Sequence, residues 1–183
     1  MKRFLPVLIA VLGVFETAIA QTSLEFVSGK VEFKIKNMGL PVTGTMTGVS
    51  IQFKQTSVDL ATWSIEGTVS PATISTGIAL RDKHLKRSDY FDIAQYPVIS
   101  LRSTSIKMKS KNNYEGVFNL TIKGITKSVY IPIITRKNDK SMVVEGVFTI
   151  NRLDFGLGEE SVILADTVTI AVSAEFNGLK ILR

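Results

Sequence analysis

The sequence predicts an all-β fold: about eight antiparallel strands closed into a barrel, with one short helical insert at about residues 79–88. Three observations predict it. Apolar and polar residues alternate with a period of two in segment after segment, the signature of strands with one buried and one wet face. The segments are joined mostly by short turns, with no strand–helix–strand rhythm, which argues against a parallel α/β sheet. Glycines fall inside the alternating runs, as at Gly44, Gly48 and Gly67. Such glycines mark the bulges and bends that closing a sheet requires, and so favour a barrel over a sandwich.

Lys30 to Lys36 alternates cleanly, with Val31, Phe33 and Ile35 on one face. Gly39 to Pro41 breaks it. Val42 to Lys54 is expected as one further strand, with Val49, Ile51 and Phe53 buried. Gln55 to Ala61 is expected to be a loop or a single turn. Thr62 to Ser70 sets Trp63, Ile65, Gly67 and Val69 against polar neighbours, and Pro71 ends or bends it. Val98 to Lys107 carries Ile99 and Leu101 on its apolar side. After a turn at Asn112-Asn113, the residues Tyr114, Gly116, Phe118, Leu120 and Ile122 share a face. Beyond Gly124, Val129, Ile131 and Ile133 alternate. Pro132, which cannot donate to a ladder, requires an edge, a bulge or a strand end there. Met142 to Ile150 and Val168 to Phe176 supply the last two strands, on either side of a loop rich in Asp and Gly.

One stretch interrupts this pattern. Thr76 to Pro97 holds the only histidine, His84, and the densest charge, and its apolar residues do not alternate. Leu80 to Arg87 has good helix formers and no Gly or Pro, so a short helix belongs there. Pro97 ends the insert and pushes Tyr96 toward extended geometry.

Composition removes several kinds of chemistry. The 183 residues fit one domain, expected over 21–183. Without cysteine there is no disulfide framework, thiolate zinc site or cysteine nucleophile, and one histidine excludes a multi-histidine metal site. No cofactor and no metal are expected. At the N-terminus, Met1-Lys2-Arg3, the uncharged run Phe4 to Phe15 and Ala18-Ile19-Ala20 form a secretory signal over residues 1–20, with cleavage after Ala20. The expected location is therefore the periplasm or the outside of the cell. Losing Lys2, Arg3 and Glu16 lowers the formal net charge from +6 to +5, so the mature chain stays basic.

Candidate catalytic groups are sparse, and the chain is read as a non-enzyme. Asp82, Ser88 and Asp89 lie near His84, but no Gly-x-Ser-x-Gly elbow exists. Asp154, Glu159, Glu160 and Asp166 could supply paired carboxylates only from a loop where acidic residues are ordinary. Nucleic-acid binding would need aromatic and basic residues interleaved on a wet face, whereas here the phenylalanines share the apolar faces. Those faces are the remaining asset. They either fill a core or line a cavity, and the residues expected on the inner wall are Phe33, Ile35, Phe53, Ile65, Leu101, Phe118, Leu120, Phe148, Ile150 and Ile170. Burying ten methylenes of a lipid tail offers roughly 8 kcal/mol, about micromolar binding before ordering costs. Arg81, Asp82, His84 and Arg152 are candidates for a head-group site or for scaffolding. The scaffold version pairs Asp82 or Asp154 with Arg81 or Arg152, tying the insert to the loop after Ile150.

Several stretches resemble the YceI-like family of exported bacterial proteins: Ile74-Ser75-Thr76-Gly77, Arg81 to Leu85, Asp89 to Asp92, Tyr96-Pro97, Leu120 to Lys127 and Ile150 to Gly158. The resemblance covers about Val31 to Phe176 and implies a lipocalin-like eight-stranded barrel. It also implies binding of a polyisoprenoid or similar lipid-like amphiphile, often in a homodimer. The basic charge separately allows transient contact with a membrane surface, or serves solubility alone. The family's usual opening, a Trp-containing strand and a His-Ser pair before the Val-x-Phe strand, is missing from Glu25 to Gly29. A shorter or altered first strand is expected here. The alternative function is a stress-related structural or interaction protein with a filled barrel.

Overall fold

In a computed structural model, residues 22–54, 64–138 and 140–181 are described. The expected signal segment, the loop at Gln55 to Ala61 and Trp63 lie outside them. The strands are β1 (Thr22–Asn37), β2 (Leu40–Met46), β3 (Ser50–Lys54), β4 (Ser64–Val69), β5 (Ile99–Ser110), β6 (Asn113–Ile122), β7 (Ile125–Lys137), β8 (Ser141–Asn151) and β9 (Thr167–Ile181). They form one curled antiparallel sheet in the order β2-β1-β9-β8-β7-β6-β5-β4-β3. The single α-helix, α1, spans Ala79–Leu85. The all-β barrel with one helical insert is the expected architecture; the strand count is nine rather than eight, and the helix ends three residues earlier.

The extra strand comes from the segment expected to be continuous over Val42 to Lys54. β2 and β3 are the two opposite ends of the sheet order, linked by Thr47, Gly48 and Val49. Gly48 turns the chain with φ +71°, a conformation that costs glycine nothing. β3, at one end of the order, then comes against β1, next to the other end. A Cβ on Gly29 of β1 would stand 2.8 Å from Val49 Cγ1, so backbone and side chain close the barrel wall there without a strand ladder.

The first strand was expected to be shorter or altered. It is 16 residues long, but it carries register shifts against β9 between Ser23 and Glu25 and between Phe26 and Ser28. Its first half pairs only with β9, and its second half, from Val31, also pairs with β2. β5 shifts register against β6 between Ser103 and Ser105, and again between Met108 and Ser110. The first shift explains why Ile99 and Leu101 face inward at odd positions while Ile106, at an even one, is 6% exposed. Pro132 sits where β7 stops pairing with β8: the β7–β8 ladder covers only Ile133 to Lys137. Beyond it the strands part, and a 3-10 turn at Leu153–Phe155 packs against both, with Phe155 1% exposed.

Four connections gather at one end of the barrel: β1–β2, β6–β7, β8–β9 and the long β4–β5 insert that contains α1. The insert is stitched to two of the others, and to β2 and the link that follows it. Ser75 bridges Thr45 by two backbone hydrogen bonds of 2.8 and 2.9 Å. Thr73 Oγ1 donates to the Thr47 carbonyl and accepts the Thr47 N–H. Tyr96 lies over Gly124 in the β6–β7 turn, where a Cβ would come within 2.9 Å of its ring. Tyr90 lies over Gly158 in the same way, at 3.0 Å, and the Gly158 N–H donates to the Asp89 carbonyl. The separate stretches that carry the family resemblance are therefore one structural unit at this end.

Candidate functional site

The inward faces of the strands enclose a cavity of about 630 Å³. The alternation that builds each strand also builds this wall, because every second side chain must point inward. Nine of the ten residues expected on the inner wall line it: Phe33, Ile35, Ile65, Leu101, Phe118, Leu120, Phe148, Ile150 and Ile170. The side chain of the tenth, Phe53, lies outside the described residues. Sequence reasoning did not name the contribution of the insert, whose Ile78, Leu85 and Phe91 complete the wall at one end. Nor did it name Ile74 and Met46, which form a second buried cluster with Val69 beneath the insert.

Polar residues on the wall are a minority: Thr76, Arg81 and His84 from the insert, Asn37 from the end of β1, Thr68, Ser100 and Glu145 from the strands, and Arg152 just after β8. Asn37 Oδ1 is buried with no hydrogen-bond partner among the described residues. A buried acceptor left unpaired costs about 1–3 kcal/mol, which a donor entering the cavity would recover.

Arg81 and Asp82 do not reach the loop after Ile150. Both turn back onto Thr76. Arg81 donates from Nε to Thr76 Oγ1 (2.8 Å) and from a terminal nitrogen to the Thr76 carbonyl (2.9 Å). Asp82 accepts the Thr76 N–H (2.8 Å) and the Thr76 hydroxyl. The reason is local. α1 begins without a side-chain cap at Ile78, so the carboxylate in its first turn gathers the donors just upstream.

Arg152 is likewise not bound to the insert. Its side chain is 3% exposed, and its acidic partner is Asp166 at 2.9 Å, within the same β8–β9 connection. It also donates to the carbonyls of Leu157 (2.9 Å), Ala165 (3.1 Å) and Leu164 (3.4 Å). One planar guanidinium thus organises the whole loop, which a lysine could not do. Asp154, expected as an alternative partner, is exposed on the 3-10 turn.

His84 pairs through Nε2 with Asp89 Oδ2 at 3.0 Å, both about half exposed, and its ring meets Tyr90 edge-on at 5.1 Å. The contact holds α1 to the segment that follows it. Among the described residues no three His, Asp or Glu side chains converge as metal ligands.

A family model described as the YceI-like domain matches residues 22–176. A UPF0312 protein of Pseudomonas fluorescens is 29% identical over 162 residues, covering 82% of this chain and 81% of its own. Among solved structures, BcnA of Burkholderia cenocepacia superposes with a TM-score of 0.75 at 28% identity, over 80% of this chain and 95% of its own. A polyisoprenoid-binding domain from Saccharophagus degradans shares the fold, with a TM-score of 0.63 at 13% identity over 86% of this chain and 98% of its own. The match to the family model spans the whole barrel, its insert and both loops that the insert grips, and the chain belongs to the YceI-like family.

Proposed function

We propose that this protein binds one long-chain amphiphile of the polyisoprenoid or isoprenoid-quinone type inside its barrel, and does so in the cell envelope after export. The observation that carries this reading is the cavity: about 630 Å³, walled by aliphatic and aromatic side chains from the strands and from the insert. That volume lies within the range of small-molecule sites and well above the roughly 300 Å³ below which a filled barrel would be the better reading. Burying about ten methylenes there gives roughly 8 kcal/mol, enough for micromolar retention without any catalytic group. The domain from Saccharophagus degradans, of the same fold, is a polyisoprenoid-binding one, which agrees in ligand class. In this reading the polar end of the ligand sits at the insert end of the barrel, where a hydroxyl would donate to the unpaired Asn37 Oδ1.

The test is uptake of an isoprenoid quinone by the purified protein and by Leu101→Trp. Leu101 is a half-buried wall residue. The added indole volume occupies the cavity without displacing a packed core. Saturable one-to-one uptake by the wild type, weakened at least about tenfold in the variant at nearly unchanged Tm, is expected. Equal uptake by both proteins would place the lipid elsewhere and overturn the reading.

A further inference from the structure

The exposed apolar side chains are not scattered evenly. Thirteen large ones are exposed among the described residues, and seven of these lie on or directly beside three connections at the insert end: Met38, Leu40, Ile78, Leu80, Val98, Val162 and Ile163. Hairpin tips and loops ordinarily carry polar residues, so this concentration needs a cause. Met38 is 75% exposed, Leu80 79% and Val162 fully so. The β1–β2 tip and the β8–β9 loop are joined directly, since the Met38 N–H donates to the Ile163 carbonyl at 2.7 Å. Asn37 bridges Leu164 beside them. Ile78 and Leu80 are both exposed and part of the cavity wall. The apolar surface therefore continues from the outside of the molecule into the cavity.

We propose that this rim docks on a phospholipid bilayer that carries anionic head groups, and that the lipid ligand passes between bilayer and barrel there. The inference rests on reading the cavity as an amphiphile site. A bilayer fits this surface because a chain sliding past Ile78 and Leu80 need never cross water. Charge agrees. Lys36 flanks the β1–β2 tip, Lys83 follows Leu80 on the helix, and neither forms an ion pair among the described residues. Glu159 and Glu160 precede Val162, so the attraction to anionic lipid comes from the helix and hairpin sides of the rim. Of the other acidic groups at this end, Asp82 is engaged with Thr76, Asp89 with His84 and Arg87, and Asp166 with Arg152, while Asp92 and Asp154 form no ion pair among the described residues.

The experiment is co-sedimentation of the protein with vesicles of phosphatidylcholine mixed with phosphatidylglycerol, and with phosphatidylcholine alone. The variant is Met38→Ser/Leu40→Ser/Val162→Ser, whose three sites lie on the rim but not on the cavity wall. The wild type is expected to sediment with the mixed vesicles, and more weakly with the neutral ones. The variant should lose at least about tenfold in partitioning while keeping its Tm and its uptake of a short-chain isoprenoid quinone from solution. A wild type that takes up quinone but sediments with neither vesicle overturns the docking proposal alone. Vesicle binding without quinone uptake supports docking and overturns the cavity reading instead. A variant that binds vesicles as well as the wild type, or a rim that proves to hold two copies together in sedimentation velocity with no vesicle binding, also overturns the proposal.

Discussion

Arg152→Met removes the one guanidinium that organises the β8–β9 loop, and its cost can be worked from the contacts. Arg152 donates to three carbonyls, two at 2.9 and 3.1 Å and one at 3.4 Å, and to the Asp166 carboxylate at 2.9 Å. Its side chain is almost wholly buried, whereas that of Asp166 is 44% exposed. The ion pair itself is therefore screened and contributes at most about 1 kcal/mol. The carbonyls matter more, because each buried acceptor left unpaired costs about 1–3 kcal/mol and the longest bond adds little. The sum is about 3–5 kcal/mol for Arg152→Met. At 2–4 °C per kcal/mol for a chain of this size, Tm should fall by about 6–20 °C. Asp166→Asn should lower it by no more than about 4 °C, and Arg152→Lys should fall between, since one ammonium cannot serve all four acceptors. Thermal unfolding followed by circular dichroism measures all three. A loss for Asp166→Asn as large as that for Arg152→Met would refute the view that the carbonyl contacts, rather than the ion pair, hold the loop.

Arg81→Ala should lower Tm by several degrees while changing lipid affinity less than about threefold, because both its hydrogen bonds go to Thr76; the reverse pattern would assign it to the ligand head group. Gly44→Ala should destabilise by about 1–3 kcal/mol in urea unfolding, since its new Cβ would lie 2.2 Å from the Phe33 ring, which must then swing into the cavity. On the outer wall, the Tyr130 hydroxyl donates to Glu115 and is the main cause holding that carboxyl below its ordinary range, and Glu115 in turn raises Tyr130. The pair's contribution is thus complete at neutral pH, is lost as pH falls through the lowered Glu115 pKa, and is lost again as Tyr130 ionises above its raised one. Tyr130→Phe should move the Glu115 titration upward when followed by carbon-detected NMR, and an unmoved midpoint would remove the hydrogen bond as its cause.

The barrel and most of its inner wall were legible because period-2 alternation records side-chain direction one residue at a time. What escaped was wherever that phase changes. In the segment from Val42 to Phe53, the apolar positions are even up to Met46 and odd from Val49 onward. That switch, centred on Gly48, was the available sign of two strands at opposite ends of the sheet. The same switch from Leu101 to Ile106 marks the β5 bulge. The partners of Arg152 were not legible at all, since three of its four acceptors are backbone carbonyls, which every residue carries. The grip of Tyr90 and Tyr96 on Gly158 and Gly124 joins positions 68 and 28 residues apart in sequence, and only the folded chain brings them together. His84 attracted notice as the lone imidazole, and the fold uses it to hold α1 to Asp89 and Tyr90.

The central claim, that the barrel holds a lipid, is tested most directly by native mass spectrometry of the protein purified without detergent from its own host. The account predicts the mass of the chain plus one polyisoprenoid-class lipid, released by organic solvent. A bare chain mass, from a protein that also takes up no isoprenoid quinone when offered it, would contradict it.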